Sequence, residues 1–517
     1  MKSKNEFIEQ LKGILNKSQI LTDFEDLYVY SFEKTFLDQI YPKLDIVVKL
    51  SSLKEEQEIL ELAKKNDIVI IKRGEEYPSR FNKDTILLLD DVEIPNLEDC
   101  IKEIEDKDKF IKKIYEMHKN GYSTYRNLAL AVQNLLFGKT LIKCQQCITC
   151  SGYCTVSPSF NGIETWSSKG RMLIARGVMK GELAFSNKVI NTLYACTKCG
   201  LCFAQCYQDL EFHEAILYLR RQIAENNLVP QVFYTTANNI SEHGDPSATT
   251  VDRRFSRIKN MSNLILPETA ETLCFLGCTT ATRTPKTAEA FINILTQLNL
   301  DFTMLGKKEG CCGYILLSTG LWEQAKKVAN DLIKKIEKTK AKIIVTPCSG
   351  CYYTFTRLYP EILDLNIPCE ILHTSQFLEK MIKEKEIRLK PLNLKVTYHD
   401  PCSLGRHSKV YEPPRNLLKA IPNLELIEMS LNRSCARCCG GGAGLWTFNN
   451  RVSLETTQIR LKEDLIPTNV DILTTACPQC QLNFRFASRM DPLTNNSIKI
   501  YDITEIVDSA IKKENVN

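Results

Sequence analysis

The sequence predicts a chain of mixed α/β and α architecture: a degenerate α/β N-terminal domain, an α-helical domain, and two tandem α/β cysteine-rich domains. Three observations predict it. Two dense cysteine runs lie among helical segments near residues 144–206. Beyond residue 271, strand-like runs end at cysteines and alternate with helices. The last two stretches also repeat each other. The expected bounds are 1–125, 126–235, a linker at 236–270, then 271–390 and 391–517.

Residues 1–125 contain one cysteine, Cys100. "KLDIVVKL" and "DIVIIKRG" look like strands, and "SLKEEQEILELAKKN" between them carries apolar residues at helical spacing. From 126 to 235 the pattern turns helical, as in "YRNLALAVQNLLFGK" and "HEAILYLRRQIAENN", before the polar "SEHGDPSATTVDRRFSR" reads as a linker or arm. After 271 the runs "ETLCFLGC", "AKIIVTPC", "LKVTYHDPC" and "VDILTTACPQC" are strand-like. The segment between the first two has one apolar stripe of Trp322, Ala325, Val328, Ala329, Leu332, Ile333 and Ile336. Cys278 matches Cys402 at an offset of 124, Cys311 matches Cys438 at 127, and Cys348 matches Cys477 at 129. Such a slow drift predicts a duplicated domain with small loop insertions, its cysteines at strand ends where open α/β sheets place ligands.

Hydrophobic residues at 44% and charged residues at 25% describe an ordinary globular protein. No apolar run approaches the ~18 residues of a membrane span. The opening "MKSKNEFIEQLKGIL" is amphipathic and lacks an apolar signal core. The expectation is a cytoplasmic protein, attached to a membrane at most through a partner. A formal charge of +5 with interspersed signs argues against nucleic acid as partner.

Twenty-two cysteines in such a chain point to metal ligands rather than disulfides. "CQQCITCSGYC" supplies Cys144, Cys147, Cys150 and Cys154, and "CTKCGLCFAQC" supplies Cys196, Cys199, Cys202 and Cys206 at the same spacing. This is the bacterial ferredoxin pattern, in which the fourth cysteine ligates the other cluster. Cys144, Cys147, Cys150 and Cys206 are therefore assigned to one cubane [4Fe–4S] cluster, and Cys196, Cys199, Cys202 and Cys154 to a second. Two zinc sites are the competing assignment. Thr155 and Tyr207 stand where ferredoxins carry proline, and the helical "SSKGRMLIARGVMKGEL" between the runs predicts a helical version.

Each duplicated domain carries a further set. The first is Cys278, Cys311, Cys312, Cys348 and Cys351; the second is Cys402, Cys438, Cys439, Cys477 and Cys480. Five thiols from three strand ends exceed the four that tetrahedral zinc needs. Adjacent Cys438 and Cys439 make a strained disulfide but a good ligand pair. Buried structural cysteines are the bland alternative. Of the remainder, Cys100, Cys274, Cys369 and Cys435 read as small buried hydrophobes, with Cys435 near enough to Cys438 to substitute as a ligand. His399 and His407 flank Cys402 as proton donors or as hydrogen-bonding partners of the ligands. "GGGAG" at 440–444 lacks the spacing of a nucleotide loop. No Ser/His/Asp arrangement or carboxylate pair stands out, so no catalytic residue is named.

At these residues the chain resembles the CCG cysteine-rich family of heterodisulfide reductase subunits and of the iron–sulfur subunits of glycolate, lactate and anaerobic glycerol-3-phosphate dehydrogenases. "YHDPCSLGRHSKVYEPPRNLLKAIP" and "TTACPQCQLNF" carry the likeness, as does the order of a helical ferredoxin followed by two CCG domains. It covers about residues 130–510, and only the 37-residue spacer of the second set exceeds the family pattern. The resemblance implies a noncubane [4Fe–4S] cluster in each CCG domain besides the two cubanes. The N-terminal "LTDFEDLYVYSFEKTFLDQIYPKLDIVVKL" is similar to the opening of the FAD-linked oxidase domain of lactate and glycolate dehydrogenases. There a Gly-rich loop follows Arg-Gly; here Arg73-Gly74 is followed by "EEYPSR", and the rest of that domain is missing. The implied module is a truncated docking domain without FAD.

The expected function is that of an iron–sulfur electron-transfer subunit in an anaerobic oxidoreductase complex. Its implied partners are a flavoprotein dehydrogenase of the 2-hydroxyacid type and an electron-transfer flavoprotein or other redox subunit, in a hetero-oligomer. The alternative is a catalytic subunit of heterodisulfide reductase type, reducing a disulfide at a noncubane cluster. Four [4Fe–4S] centres predict about 16 irons per chain in anaerobically prepared protein. Metal analysis checks this: iron near half that level, with cubane spectra alone, would remove the CCG clusters, and dominant zinc would remove all four.

Overall fold

The computed structural model describes residues 9–14, 20–21, 47–48, 58–59, 61–62, 144 and 147. Between 149 and 511 it describes all but 180, 257, 259–263, 385–386 and 491–497. Cys100, the Arg73-Gly74 segment, the strand expected at 67–74 and the helix expected at 125–139 lie outside the described residues. The chain forms two compact units, residues 1–147 with 172–183, and residues 148–171 with 184–517.

In the smaller unit, β1 (Ile20–Leu21) pairs antiparallel with β2 (Val47–Val48), which lies in the expected strand "KLDIVVKL". Leu11 and Ile59 are buried against Ile14, Ile20 and Leu62, so the apolar positions of two helical stretches meet one strand.

In the larger unit, the region before residue 256 is helical. Helices Asn187–Tyr194, Phe212–Glu225 and Gln231–His243 present Val189, Leu193, Ile216, Leu219, Phe233 and Ile240 to the interior. Ser186 caps the first of them by accepting the Val189 N–H at 3.2 Å. The polar stretch expected as a linker is folded. It includes helix Val251–Phe255, and the Arg254 guanidinium, 1% exposed, donates to the carbonyls of Glu309 at 3.0 Å and Gly244 at 3.3 Å. Phe255 and Ile258 enter the core of the following domain, the burial that its polar composition conceals.

Two four-stranded parallel sheets follow. The first contains β3 (Thr272–Cys274), β4 (Phe302–Thr303), β5 (Ile343–Thr346) and β6 (Glu370–His373) in the order β4-β3-β5-β6. The second contains β7 (Leu394–His399), β8 (Leu424–Leu426), β9 (Ile472–Thr475) and β10 (Lys499–Asp502) in the order β8-β7-β9-β10. The two orders correspond strand for strand, so the repeat read from cysteine offsets is a repeat of topology. In the first domain, helix Trp322–Lys338 buries Ala325, Ala329, Leu332 and Ile336 of its expected stripe. In the second, Asp502 opens helix Ile503–Ala510 with a capping box completed by Glu505.

The domains share one apolar core. Helix Pro285–Gln297 of the first packs on helix Ile503–Ala510 of the second, and Ala288, Phe291 and Leu295 lie in the same cluster as Ile503, Ile506 and Val507. Burying one such side chain is worth about 1.5–3 kcal/mol. Polar ties cross the same seam: the Thr287 hydroxyl donates to Glu505 at 3.0 Å.

A buried ion cluster closes the second domain. Arg415, fully buried, gives a two-pronged bond to Asp400 at 2.7 and 2.9 Å and also binds Glu428. Asp400 accepts the Arg433 N–H at 2.8 Å as well, which pins the loop leading to Cys438. Because removal of Arg415 strands a buried carboxylate, Arg415→Leu is expected to cost roughly 3–5 kcal/mol. The measurement is the shift in the chemical-denaturation midpoint of the loaded protein.

Candidate metal centres

Cysteines gather where strands of both sheets end and where the helical region meets them. Cys154, Cys196, Cys199 and Cys202 line one small pocket with Ser168, Arg171, Lys198 and His213. The structure thus brings Cys154, from the first run, to three cysteines of the second. Donors point at the sulfurs: Arg171 Nη1 at 3.4 Å from Cys154 Sγ, the Lys198 N–H at 3.3 Å from Cys196 Sγ, and the Ser168 hydroxyl on Cys202. Burial pushes the Cys196 and Cys202 thiols up. The partly buried Cys150 lies within helix Thr149–Tyr153 and Cys206 two residues beyond helix Leu201–Ala204, and these two helices pack together. Cys144, half-buried, and Cys147, exposed, belong to the smaller unit.

In the first CCG domain, the Sγ atoms of Cys278 and Cys311 are 3.9 Å apart. Cys311 contacts Cys312, Cys312 contacts Cys351, and Cys351 contacts Cys348. The second domain repeats this order: Cys402 meets Cys438, Cys438 meets Cys439, Cys439 meets Cys480, and Cys480 meets Cys477. In both, the second cysteine of the adjacent pair has its thiol held well below the usual range. For Cys312 the cause is hydrogen bonding from Cys311 and Cys351; for Cys439 it is bonding from Cys438, Cys480 and His399. The glycine after each pair turns its N–H back onto the first sulfur: Gly313 to Cys311 at 3.4 Å, Gly440 to Cys438 at 3.3 Å. That turn takes φ values of 78° and 80°, in the left-handed region.

Two contacts join these sets into one line. Cys348 of the first CCG domain meets Cys477 of the second. The cause is visible: the Ser349 hydroxyl and His373 Nε2, at 3.1 Å, both bond the carbonyl of Ala476. Cys199 of the helical region meets Cys438. Here the "GRH" after Cys402 grips the backbone of "TKCG", with Arg406 Nε donating to the Cys199 carbonyl at 2.6 Å and His407 Nε2 to that of Lys198 at 2.8 Å.

Arg220 holds the same junction from behind. Fully buried, it donates to the carbonyls of Leu193 and Cys196 in the helical region, Ser318 in the first CCG domain and Ala443 in the second. Sequence reasoning missed Arg220, Arg406 and Arg460. Their only signal was charge inside otherwise apolar or cysteine-rich stretches.

Of the two histidines singled out, His407 is structural, stacked at 4.9 Å on Tyr353 and pushed well down by burial and by its neighbours His213 and Lys198. His399 faces Cys439 and Cys480, with one ligand-type atom of each residue within 4.8 Å of the others. Burial lowers its basicity. Cys274 is fully buried, Cys369 donates its S–H to the Ala341 carbonyl at 3.0 Å, and Cys435 accepts from Gln205 at 3.4 Å.

The donor sets fit iron–sulfur clusters. They consist of crowded thiols, at strand ends in the CCG domains and among helices before them, with N–H and O–H donors on the sulfurs of the kind that tune clusters. Five linked thiols per CCG domain do not make a four-coordinate zinc site.

Fold and site together define a cysteine-rich iron–sulfur redox protein, and comparison with known proteins agrees. The CCG cysteine-rich domain matches residues 272–356 and 396–485. The D-type subunit of the dihydromethanophenazine:CoB–CoM heterodisulfide reductase of Methanosarcina barkeri is 27% identical over 387 residues, 71% of this chain and 93% of that protein. Its Methanosarcina acetivorans counterpart is 32% identical over 298 residues, 56% of this chain and 72% of that protein. The EtfAB:quinone oxidoreductase of Syntrophomonas wolfei is 27% identical over 65% of this chain and 48% of its own length. The chain belongs to the CCG-domain family, with the D-type subunits of heterodisulfide reductase and related iron–sulfur oxidoreductases.

A Cβ on Gly440 would lie 2.4 Å from the Ser453 carbonyl oxygen. Added to the left-handed backbone, this predicts that Gly440→Ala costs roughly 1–3 kcal/mol locally. The expected result is loss of iron from the second CCG set with the ferredoxin-type signals kept, read by iron analysis and EPR.

Proposed function

We infer that this chain is the iron–sulfur electron-transfer subunit of an anaerobic oxidoreductase complex. It passes electrons between a flavoprotein dehydrogenase, of the type acting on 2-hydroxyacids such as lactate or glycolate, and a second redox partner. The observation that carries this reading is the unbroken line of thiols from Cys199 through Cys438 to both CCG sets.

Cys196, Cys199, Cys202 and Cys154 would hold one cubane cluster, and Cys144, Cys147, Cys150 and Cys206 the other. Cys278, Cys311, Cys312, Cys348 and Cys351 would hold a third cluster, and Cys402, Cys438, Cys439, Cys477 and Cys480 a fourth. Bound clusters supply one-electron chemistry, which complements a flavin that exchanges two. The chain's own residues fix the spacing: Arg406 and His407 hold Cys199 against the second CCG set, and Ser349 and His373 hold Cys348 against Cys477. Similarity to the EtfAB:quinone oxidoreductase supports work with a flavoprotein. Among the described residues no helix is long and apolar enough to cross a membrane. The proposed location is the cytoplasm, with any membrane contact made through a partner.

A second reading, reduction of a disulfide substrate to two thiols by two electrons and two protons, is favoured by the meeting of the two CCG sets at Cys348 and Cys477. Similarity to the heterodisulfide reductase of Methanosarcina barkeri, along 93% of its D-type subunit, favours it too. The deciding experiment reduces the loaded protein chemically. It is then mixed separately with an oxidised 2-hydroxyacid flavoprotein and with small disulfides, and reoxidation is followed optically. Fast exchange with the flavoprotein is expected. Fast reoxidation by a disulfide with no flavoprotein exchange would replace the first reading with the second.

A further inference from the structure

The two CCG domains are alike in strand order and in their line of thiols, and of the buried positions at which they differ one lies beside the thiols of the second set. Phe275 ends the run before Cys278, and its ring meets Phe355 edge-on at 5.1 Å. At the matching place before Cys402 stands His399, whose ring meets Phe484 edge-on at 4.8 Å. Phe355 and Phe484 are themselves equivalent, each four residues beyond the last cysteine of its set. An imidazole thus stands in the second domain where the first has phenylalanine, in a like aromatic frame, with a ring nitrogen within 4.8 Å of the Cys439 and Cys480 sulfurs.

Whether His399 is a ligand or a donor follows from its other neighbour. The Nε–H of Arg460 lies 3.1 Å from His399 Nδ1. A guanidinium only donates, so Nδ1 must accept, and the proton of the neutral ring sits on Nε2. A metal-bound histidine shows the opposite arrangement, giving its second N–H away to a carboxylate or carbonyl. Arg460 is locked in this role: it is 1% exposed, paired with buried Asp464 at 3.0 Å, and bonded to the Leu431 carbonyl at 3.4 Å. The helix in the corresponding place of the first domain, Trp322–Lys338, contains no arginine.

The first domain has a hydroxyl near its own pair, Thr354 on Cys312. Its single proton also has the Gly350 carbonyl as acceptor at 2.7 Å. The imidazole N–H has no such competitor among the described hydrogen bonds.

We propose that His399 is not a ligand but a tuning residue, which donates its Nε2–H to the Cys439 sulfur under the control of Arg460 and so raises the reduction potential of the second CCG centre alone. Hydrogen bonds to ligating sulfur stabilise the more negative, reduced state of a cluster. The two CCG centres are thereby made inequivalent, with the tuned one on the side that meets Cys199. This inference rests on the reading of the second CCG set as cluster ligands; iron analysis of the unaltered protein tests that reading separately.

The test is made on the loaded full-length protein with two readouts. Pulsed EPR of the reduced second centre, in protein carrying ¹⁵N-histidine and in D₂O, is expected to show weak nitrogen coupling and an exchangeable proton. Strong coupling from directly bound nitrogen would overturn the proposal. EPR-monitored redox titration of His399→Phe, which copies the first domain, is expected to lower the potential of the second centre and leave the first unmoved. His399→Asn, which keeps an N–H, should restore part of the shift. An unchanged potential in His399→Phe, or equal shifts in both CCG centres, would also overturn it. If His399→Phe loses the centre, the pulsed measurement on the unaltered protein still decides.

Discussion

Crowded sulfur is the constraint on which the rest of this structure depends. Thiols from the helical region and both CCG domains meet in one line in a largely buried setting, where like charges repel more strongly than in water. Buried arginine answers them in the helical region and the second CCG domain. Arg171 bonds Cys154, Arg220 lies close to Cys196, Arg406 sits among Cys199, Cys402 and Cys438, and Arg460 lies near Cys438 and bonds His399. These cations in turn bond backbone carbonyls, so each one also fixes the geometry of a cysteine loop. Charge compensation and domain docking are performed by the same side chains.

Duplication explains how so many thiols converge. One α/β unit places its cysteines beyond the ends of parallel strands, and two copies set side by side over a shared apolar core bring those ends together. The seam is specified by shape, through Phe291 against Ile506 and Val507, and by polar ties that apolar packing alone would not register. Ser349 and His373 reach from the first domain to the carbonyl before Cys477, a single acceptor that sets how closely the two sets approach.

The helical region is bound into this assembly rather than tethered to it. Arg254 and Phe255 pack the segment around residue 250 onto the first CCG domain, and Arg220 ties Leu193 and Cys196 to both. These bonds, with those of Arg406 and His407, fix the distance between the helical region's cysteines and those of the second CCG domain.

The sequence by itself determined the cysteine spacing, the duplication and the strand–helix alternation of the CCG domains, because residue spacing and apolar periodicity are local and repeat. It also marked His399 and His407 as neighbours of Cys402, without their separate roles. Only the tertiary structure decided that Cys199 meets Cys438, that Cys348 meets Cys477, and that the stretch expected as a linker is packed. Only it revealed Arg220, Arg406 and Arg460. The reason is physical: these arginines act on backbone carbonyls, which every residue has, so no side-chain pattern announces the partner. The direction of the His399 proton is likewise set by Arg460, sixty-one positions away in the chain and 3.1 Å away in space.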